Sequence, residues 1–323
     1  MAPSNKDSAY IVLEKSTLRI LDGENIDKKL LVASTGKILT AITVIENYNL
    51  DEVITISVED ASAVGSSIYL QENEQITRRD LLYALMLRSA NDAASALSNN
   101  NDDDFIILMN ETAKKIGMKN SIFTNASGLD EKEYNLSTAY DMAMLAAYAA
   151  KNNTFKTISS THIYSCQSNI RNYTFVNKHK LVNKEEEFLW GKTGYTKKAH
   201  RILVSNYVRD NMDVIIVTIN HSNDWSFHKE VVNSLDEYEF KKIYKKGIYQ
   251  ITFDKKYYLN IKNDIVIPLK DNEYQNTAIK FRLYTDKAIL DVYLNNTLIY
   301  SSQLEVYDKN SIDLDLLIEI LNE

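Results

Sequence analysis

The stretch LLVASTGKILTAITVIENY, residues 30–48, determines how the rest of this chain of 323 residues is interpreted. Ser34 and Lys37 stand three residues apart in it, so that in a helix they lie on one face of the same turn. A serine becomes a nucleophile when a base removes its proton, and a buried lysine with a lowered pKa can be that base. A buried helix beginning near Ser34 is predicted from apolar residues at helical spacing, namely Ile38, Leu39, Ile42 and Ile45.

The four residues from Ser34 to Lys37 do not identify a site by themselves. A serine that caps a helix, followed by a lysine in solvent, gives the same letters, and capping serines are common. If the chemical interpretation is correct, a second cation should lie near Lys37 to lower its pKa. The free N–H groups of the helix N-terminus would then be available to stabilise an oxyanion.

Two further motifs follow along the chain. Ser89-Ala-Asn91 lies between the periodic runs LLYALML and AASAL, which favours a loop joining two helices. Lys192-Thr-Gly194 precedes the β-branched segments ILVSNYV and IIVTIN, which predict a strand at a sheet edge with two more strands beside it. Lys192 would supply the second cation, and Gly194 would let a substrate backbone approach closely. Each motif alone is also explained by routine loop residues.

Together, the order S-x-x-K, S-x-N, K-T-G is the active-site signature of penicillin-binding proteins and class A β-lactamases. The chain resembles the low-molecular-mass penicillin-binding proteins that are serine-type D-alanyl-D-alanine carboxypeptidases, the type-5, DacA/DacF-like peptidase S11 group. The similarity runs from about residue 8 to about residue 240. It includes the connecting segments at 65–94, around the S-x-N motif, and at 123–149, which contains FTNASGLD and STAYD.

The resemblance implies an α/β (α+β) fold of the β-lactamase/DD-peptidase type. Its antiparallel sheet would be flanked by helices, with an inserted helical subdomain and the nucleophile between the two parts. We assign this catalytic domain to residues 1–240. After residue 240, short segments alternate β-branched and aromatic residues between turns, which predicts a small all-β domain, β-sandwich-like, at 241–323.

The resemblance also implies an activity and a set of site residues. The enzyme would remove the terminal D-alanine from peptidoglycan stem pentapeptides through an acyl-enzyme, and β-lactam antibiotics would inhibit it covalently. The candidate catalytic residues are the nucleophile Ser34, the base Lys37, the proton relay Ser89, and Asn91, which would hold both the lysine and a substrate carbonyl. The candidate substrate-binding residues are Lys192, Thr193, Gly194, Tyr195 and Arg201. No metal or other cofactor is expected.

Arg201, nine residues after Lys192, is a candidate for bidentate binding of the substrate carboxylate, and a surface arginine is an equally good interpretation. It takes this role because HSNDWSFHKE, residues 221–230, lacks the arginine that some relatives carry there. The backbone N–H of Tyr195 would be the second oxyanion donor, beside that of Ser34. Two departures from the family pattern are Ala90 and His200, each at a position where glycine is frequent; His200 puts the turn before its strand in doubt.

Two alternatives stay open. A class A-like β-lactamase needs a glutamate that activates the deacylating water, and Glu131 and Asn135 fit its E-x-x-x-N pattern. We discount it because Glu131 lies within the family-like segment and because β-lactamases lack a C-terminal β domain. The second alternative is a non-catalytic β-lactam-binding sensor, against which the complete set of motif residues argues.

Composition narrows the possible partners and location. A net charge of −7 disfavours nucleic acid, which needs a basic surface. No run of eighteen apolar residues predicts a membrane span, and MAPSNKDS lacks the apolar core of a signal peptide. We expect an extracytoplasmic enzyme whose signal has been removed, with membrane association only through a segment absent from this chain. The final residues, 311–323, are predicted as a strand end or short helix, and the single Cys166 as a small core residue.

Overall fold

The computed structural model describes residues 4–130, 134–251, 257–284 and 286–308. The chain divides into two compact units, one of Met1–Lys15 and Leu21–Val232, the other of Ser16–Ile20 and Asn233–Glu323. The second unit thus includes a short segment close to the N-terminus that no change of composition marks. The predicted boundary between residues 240 and 241 stays a prediction. Glu131 and the segment 311–323 lie outside the described residues.

The elements up to residue 237 follow one another in mixed order. The strands are β1 (Ala9–Glu14), β2 (Ile20–Glu24), β3 (Leu30–Leu31), β4 (Val53–Thr55), β5 (Gln75–Thr77), β6 (Leu136–Ser137), β7 (Ile163–Gln167), β8 (Asn172–Val176), β9 (Phe188–Thr196), β10 (His200–Arg209) and β11 (Met212–Ile219). The helices are α1 (Lys37–Asn47), α2 (Val58–Ala61), α3 (Arg78–Tyr83), α4 (Asn91–Leu97), α5 (Asp103–Ile116), α6 (Ala139–Ala149), α7 (Asn153–Ser160) and α8 (Asp224–Ser234). Ala33–Gly36 and Leu235–Glu237 form 3-10 turns, and Ala84–Arg88 forms a π-helical turn.

Five strands form an antiparallel sheet in the order β2-β1-β11-β10-β9. The residues from Val214 to Ile219 in β11 are all buried, so both faces of the sheet are covered. On one face α6 packs against β1 and β11. Helix α8 also contacts the sheet: His228 Nε2 of α8 lies 3.1 Å from Thr218 Oγ1 of β11. The antiparallel sheet between helices predicted from the sequence is therefore present.

Helix α1 lies at the centre of the helical part and contacts α4, α5, α6 and α7. Every residue from Lys37 to Val44 is buried, including the polar ones. Thr40 satisfies its hydroxyl by donating to the Ala126 carbonyl oxygen at 2.8 Å. Because α1 is covered on all sides, the side chain of Lys37 in its first turn is excluded from solvent. Exclusion from solvent disfavours the charged form of a lysine.

Some predicted boundaries were too simple. The helix predicted to begin near Ser34 starts as α-helix only at Lys37. Strand β3 and a 3-10 turn precede it, because Ala33 adopts a left-handed φ of 45° that no α-helix continues. The break predicted between two helices at the S-x-N motif is present at Ser89, whose φ is 60°. The β7–β8 hairpin and α7 were not predicted at all.

The second unit is mostly β structure. Its elements are β12 (Glu239–Tyr244), β13 (Gly247–Gln250), β14 (Tyr257–Ile261), β15 (Ile265–Leu269), α9 (Asp271–Tyr274), β16 (Thr277–Leu283), β17 (Lys287–Leu294) and β18 (Thr297–Asp308). Strands β12 and β15 pair with each other, and the other five form a sheet in the order β13-β14-β18-β17-β16. Asp291 is buried in β17, where Arg282 Nε donates to it at 2.6 Å and Ser301 Oγ at 2.8 Å. The buried carboxylate is thus paired with a cation and hydrogen-bonded.

Among the helices within the described residues, none has both the length and the apolar content needed to cross a bilayer.

Three buried polar side chains, His179, Ser205 of β10 and His228 of α8, are linked by hydrogen bonds. His179 Nε2 lies 3.1 Å from Ser205 Oγ, which lies 2.9 Å from His228 Nδ1. Both imidazoles are almost fully buried. Burial is the main cause that lowers the pKa of His179 to about 3 and the pKa of His228 well below its usual value. Both histidines are therefore neutral in the folded protein near pH 7.

We expect these histidines to make the fold sensitive to acid. In the unfolded chain they take up protons near their ordinary pKa of 6.5, so their contribution to stability is complete above that pH. For His179 it is lost as the pH falls from 6.5 towards 3, by up to about 1 kcal/mol per pH unit, and for His228, whose pKa is also lowered in the folded protein, the loss likewise begins as the pH falls through 6.5. His228→Gln should therefore show a shallower decrease of the unfolding midpoint between pH 7 and pH 5 than the wild type. Equal slopes, measured by thermal circular dichroism, would contradict this assignment.

Candidate active site

Ser34 lies in the 3-10 turn that leads into α1 and is half-buried. Gly128, with φ of 79°, packs directly against this turn. A Cβ at Gly128 would lie 2.0 Å from the Ala33 carbonyl oxygen and 2.9 Å from Ser34 N. Only glycine fits at such a distance, so the loop from Asn125 to Leu129 presses against the nucleophile turn and fixes its position.

Lys37 follows one turn later and its side chain is fully buried. Its Nζ lies 3.0 Å from Ser34 Oγ and 2.7 Å from Asn91 Oδ1, and it also donates a hydrogen bond to the Ser127 carbonyl oxygen. None of these three partners is charged. Burial, followed by repulsion from the Lys192 ammonium, lowers the pKa of Lys37 well below its usual range. An amine of this kind, within hydrogen-bonding distance of a hydroxyl, has the geometry of a general base.

Ser89 and Asn91 belong to the break between the π-helical turn and α4. Ser89 adopts a left-handed φ of 60°, and its Oγ accepts a hydrogen bond from Lys192 Nζ at 2.8 Å. Asn91 Nδ2 donates to the Val64 carbonyl oxygen at 2.6 Å, which turns Oδ1 towards Lys37. Since an amide NH2 has two donors, the bond to Val64 leaves one for a substrate carbonyl. The S-x-N motif therefore contacts both lysines.

Lys192 is the second buried lysine of the site, in strand β9. Besides Ser89, it donates to the Thr193 carbonyl oxygen at 2.8 Å. Burial and the nearby Lys178 lower the pKa of Lys192 to about 7. Two lysine side chains thus lie in one site from which solvent is largely excluded. Their mutual repulsion, together with burial, favours a neutral Lys37.

Strand β9 passes directly beside the nucleophile. A Cβ at Gly194 would lie 3.2 Å from Thr35 N and 3.3 Å from Ser34 N, so glycine allows the strand to approach the turn. Tyr195 is 65% exposed and pairs in register with Arg201 of β10. The structure therefore brings Lys192, Thr193 and Gly194 next to Ser34, with Tyr195 continuing the same strand.

Arg201, in β10, forms an ion pair with Asp224. Its NH2 donates to Asp224 Oδ1 at 2.6 Å, and its side chain is 44% exposed while that of Asp224 is buried. This contact fixes the guanidinium without burying it. Its assignment to the substrate carboxylate stays a prediction, as do the roles of the other site residues.

The two departures from the family pattern are accommodated. His200 occupies the left-handed region with φ of 58°, the conformation that a glycine would adopt without strain, and the turn into β10 forms around it. Ala90 is completely buried at the S-x-N break. Asn135, the second residue of the E-x-x-x-N pattern, uses its Oδ1 to accept from Thr124 N and its Nδ2 to donate to the Asn125 carbonyl, so it has a structural role in this loop.

Sequence reasoning missed three contributors to the site. Ser127 supplies a backbone carbonyl to Lys37, Val64 supplies one to Asn91, and Lys178 adds positive charge near both active-site lysines. Ser127 lies within the FTNASGLD segment, which resembles the family but contains no motif residue. Backbone carbonyls carry no sequence signal, so only the folded chain identifies them.

Comparison with known proteins agrees with this geometry. The family model Peptidase S11, described as D-alanyl-D-alanine carboxypeptidase, matches residues 1–223. The carboxypeptidase DacF of Bacillus subtilis is 29% identical over 257 residues, which are 76% of this chain and 66% of DacF. The match thus spans just under two thirds of that relative.

Solved structures show the same fold. A D-alanyl-D-alanine carboxypeptidase from Mycobacterium tuberculosis superposes with a TM-score of 0.63 at 26% identity, covering 68% of this chain and 83% of the other. The carboxypeptidase DacD of Francisella tularensis gives a TM-score of 0.75 at 21% identity, covering 95% and 94%. The predicted fold class, including the C-terminal β domain, is confirmed. With its three motifs assembled around one buried lysine pair, this chain belongs to the Peptidase S11 family of D-alanyl-D-alanine carboxypeptidases.

Proposed function

We propose that this protein is a serine D-alanyl-D-alanine carboxypeptidase that removes the terminal D-alanine from peptidoglycan stem pentapeptides. The observation that carries the proposal is the fully buried Lys37, whose Nζ lies 3.0 Å from Ser34 Oγ. Membership of the Peptidase S11 family supports the same reaction class. The β-lactamase and sensor alternatives are not favoured, because the relatives described above are DD-peptidases.

In acylation, Ser34 Oγ attacks the carbonyl carbon between the two terminal D-alanines while Lys37 Nζ accepts the hydroxyl proton. Backbone N–H groups of Ser34 and Tyr195 stabilise the negative oxygen that forms. When the C–N bond breaks, the proton that Lys37 accepted passes to the leaving amine through the Ser89 hydroxyl, which Lys192 holds by a hydrogen bond, and Lys37 is neutral again. D-alanine leaves, and the remaining peptide is held as an ester on Ser34.

In deacylation, water attacks that ester and Lys37 accepts a proton from the water as it did from the serine. The acid product leaves and Ser34 regains its proton. A β-lactam would acylate Ser34 by the same route, its ring amide taking the place of the peptide bond. This accounts for the proposed covalent inhibition.

The free carboxylate of the substrate distinguishes this reaction from general peptide hydrolysis. We assign its recognition to Lys192, Thr193 and Arg201, since the Lys192 ammonium lies on β9, which passes Ser34, and the partly exposed Arg201 guanidinium lies on the neighbouring strand β10. The proposed substrate is part of the cell wall, so we propose that the enzyme acts on the extracytoplasmic side of the membrane. We further propose residues 1–240 as the catalytic domain and 241–323 as a domain without catalytic residues.

Ser34→Ala tests the nucleophile. It should abolish D-alanine release from a D-Ala-D-Ala peptide, by at least about 1,000-fold, together with covalent labelling by a fluorescent penicillin. Thermal unfolding should be unchanged because the turn keeps its backbone. Ser8→Ala, an exposed serine before β1, is the control and should retain both activities. Labelling that persists in a folded Ser34→Ala protein would place the nucleophile elsewhere.

Arg201→Ala tests carboxylate recognition. Loss of a charge-assisted contact should lower turnover of a D-Ala-D-Ala acid on the order of 30- to 150-fold. Hydrolysis of a matching amide without the carboxylate should change little. Because Arg201 also pairs with the buried Asp224, the variant Asp224→Asn serves as a control: it disturbs the pair but keeps the guanidinium. Equal losses on both substrates would assign Arg201 to the fold.

Deletion of residues 241–323 tests the domain proposal. Arg19 is buried at 2% exposure and pairs with Glu273, so the truncated protein should also carry Arg19→Ser to avoid an unpaired cation. We expect a soluble protein that cleaves a small D-Ala-D-Ala peptide at close to the full-length rate. A folded truncation that binds penicillin but no longer releases D-alanine would show that the second domain is needed for the site.

A further inference from the structure

A pocket of about 360 Å³ opens beside the catalytic lysine and takes no part in the reaction described above. Asn91 and Ser127 line this pocket, and both also contact Lys37 Nζ. The pocket therefore begins one hydrogen bond away from the reacting atoms. Its volume is at the lower end of the range for ligand pockets, which suits one side chain and not a whole peptide.

One wall of the pocket is strained backbone. Asn99, Asn100 and Asn101 all have left-handed φ angles, of 49°, 58° and 57°. Consecutive residues in this region are unfavourable even for asparagine, and such strain concentrates at functional sites. The segment is held because Asn101 Oδ1 accepts from Ala126 N at 2.7 Å and Asn101 N donates to Ser98 Oγ at 3.0 Å. Asn100 and Asn101 both line the pocket, so the wall is fixed in place.

The lining has a defined chemistry. Among the described residues that form it, Glu59 of α2 is the one charged side chain, and it is exposed to solvent. The other polar groups are amides and hydroxyls, and Val64 and Leu129 add apolar surface. Such a pocket is complementary to an apolar stem that ends in an ammonium group, as in the side chain of lysine.

The position of the pocket indicates that it faces the acyl portion of the substrate and not its terminal carboxylate. Lys192, Thr193 and Arg201, assigned to the terminal carboxylate, do not line it. The part of the substrate that is left to occupy it is the acyl portion, which begins at the residue before the two D-alanines. We propose that this pocket binds the side chain of that third stem-peptide residue and selects a diamino acid with a free terminal ammonium.

The inference rests on the proposed carboxypeptidase function and adds a preference within it. A side chain that ends in both an ammonium and a carboxylate, such as that of diaminopimelate, would place its carboxylate near Glu59, where like charges repel. Lysine-type stem peptides are therefore the better substrates. Glu59 is a specificity residue and has no contact with the reacting atoms.

The test compares D-alanine release from Nα-acetyl-L-Lys-D-Ala-D-Ala and from its Nε-acetylated form, which lacks the ammonium. The wild type should favour the free ammonium by roughly two- to fivefold in kcat/KM, as for an exposed ion pair, and high salt should reduce this preference. Glu59→Gln should remove the preference, because turnover of the free-ammonium peptide should fall to that of the Nε-acetyl peptide. Glu59→Lys should prefer an Nε-succinyl peptide, which carries a carboxylate at that position.

Glu111→Gln, an exposed glutamate on α5 outside the pocket, is the matched control and should keep the wild-type preference. A wild type that does not distinguish the two peptides, or a Glu59→Gln variant that still does, would overturn the assignment of the pocket. Absence of D-alanine release from both peptides would contradict the carboxypeptidase function itself, and this inference with it.

Discussion

The burial of Lys37 is the constraint on which the site depends. An ammonium in a fully buried position without a carboxylate in contact is unfavourable, and the protein relieves this by lowering the pKa of the lysine. The neutral amine can donate its two N–H groups to Asn91 Oδ1 and the Ser127 carbonyl oxygen, which leaves its lone pair for the hydroxyl proton of Ser34, whose Oγ lies 3.0 Å away. The same burial that makes the lysine costly to the fold makes it available as a base.

Three separate segments meet to create that burial. The helix α1 supplies Lys37, the break before α4 supplies Asn91, and the loop at Ser127 closes over the amine. Each segment is locally strained or tightly packed, as shown by the left-handed φ at Ala33 and Ser89 and the close approach of Gly128. Such strain persists only where surrounding structure imposes it, here the helical core around α1.

Lys37 and Lys192 have different roles because they contact different groups. Lys37 contacts the nucleophile, whereas Lys192 contacts Ser89 and raises the positive potential along β9, where an anionic substrate end is expected. The pocket that Asn91 and Glu59 line carries the negative charge of Glu59, in contrast to the positive charge of Lys192 on β9. A substrate with a carboxylate at one end and an ammonium on its side chain would find complementary charge at both places.

The sequence by itself determined the fold class, the all-β character of the C-terminal region and the motif residues, because periodicity and ordered motifs are local signals. It placed the α1 helix near Ser34 and the break at Ser89, but it missed β3, α7 and the β7–β8 hairpin, which are short elements. Only the tertiary structure decided that burial lowers the pKa of Lys37, that Arg201 pairs with Asp224, and that the carbonyl oxygens of Val64 and Ser127 accept hydrogen bonds from Asn91 and Lys37. Those features depend on burial and on contacts between residues distant in the chain, which no local pattern encodes.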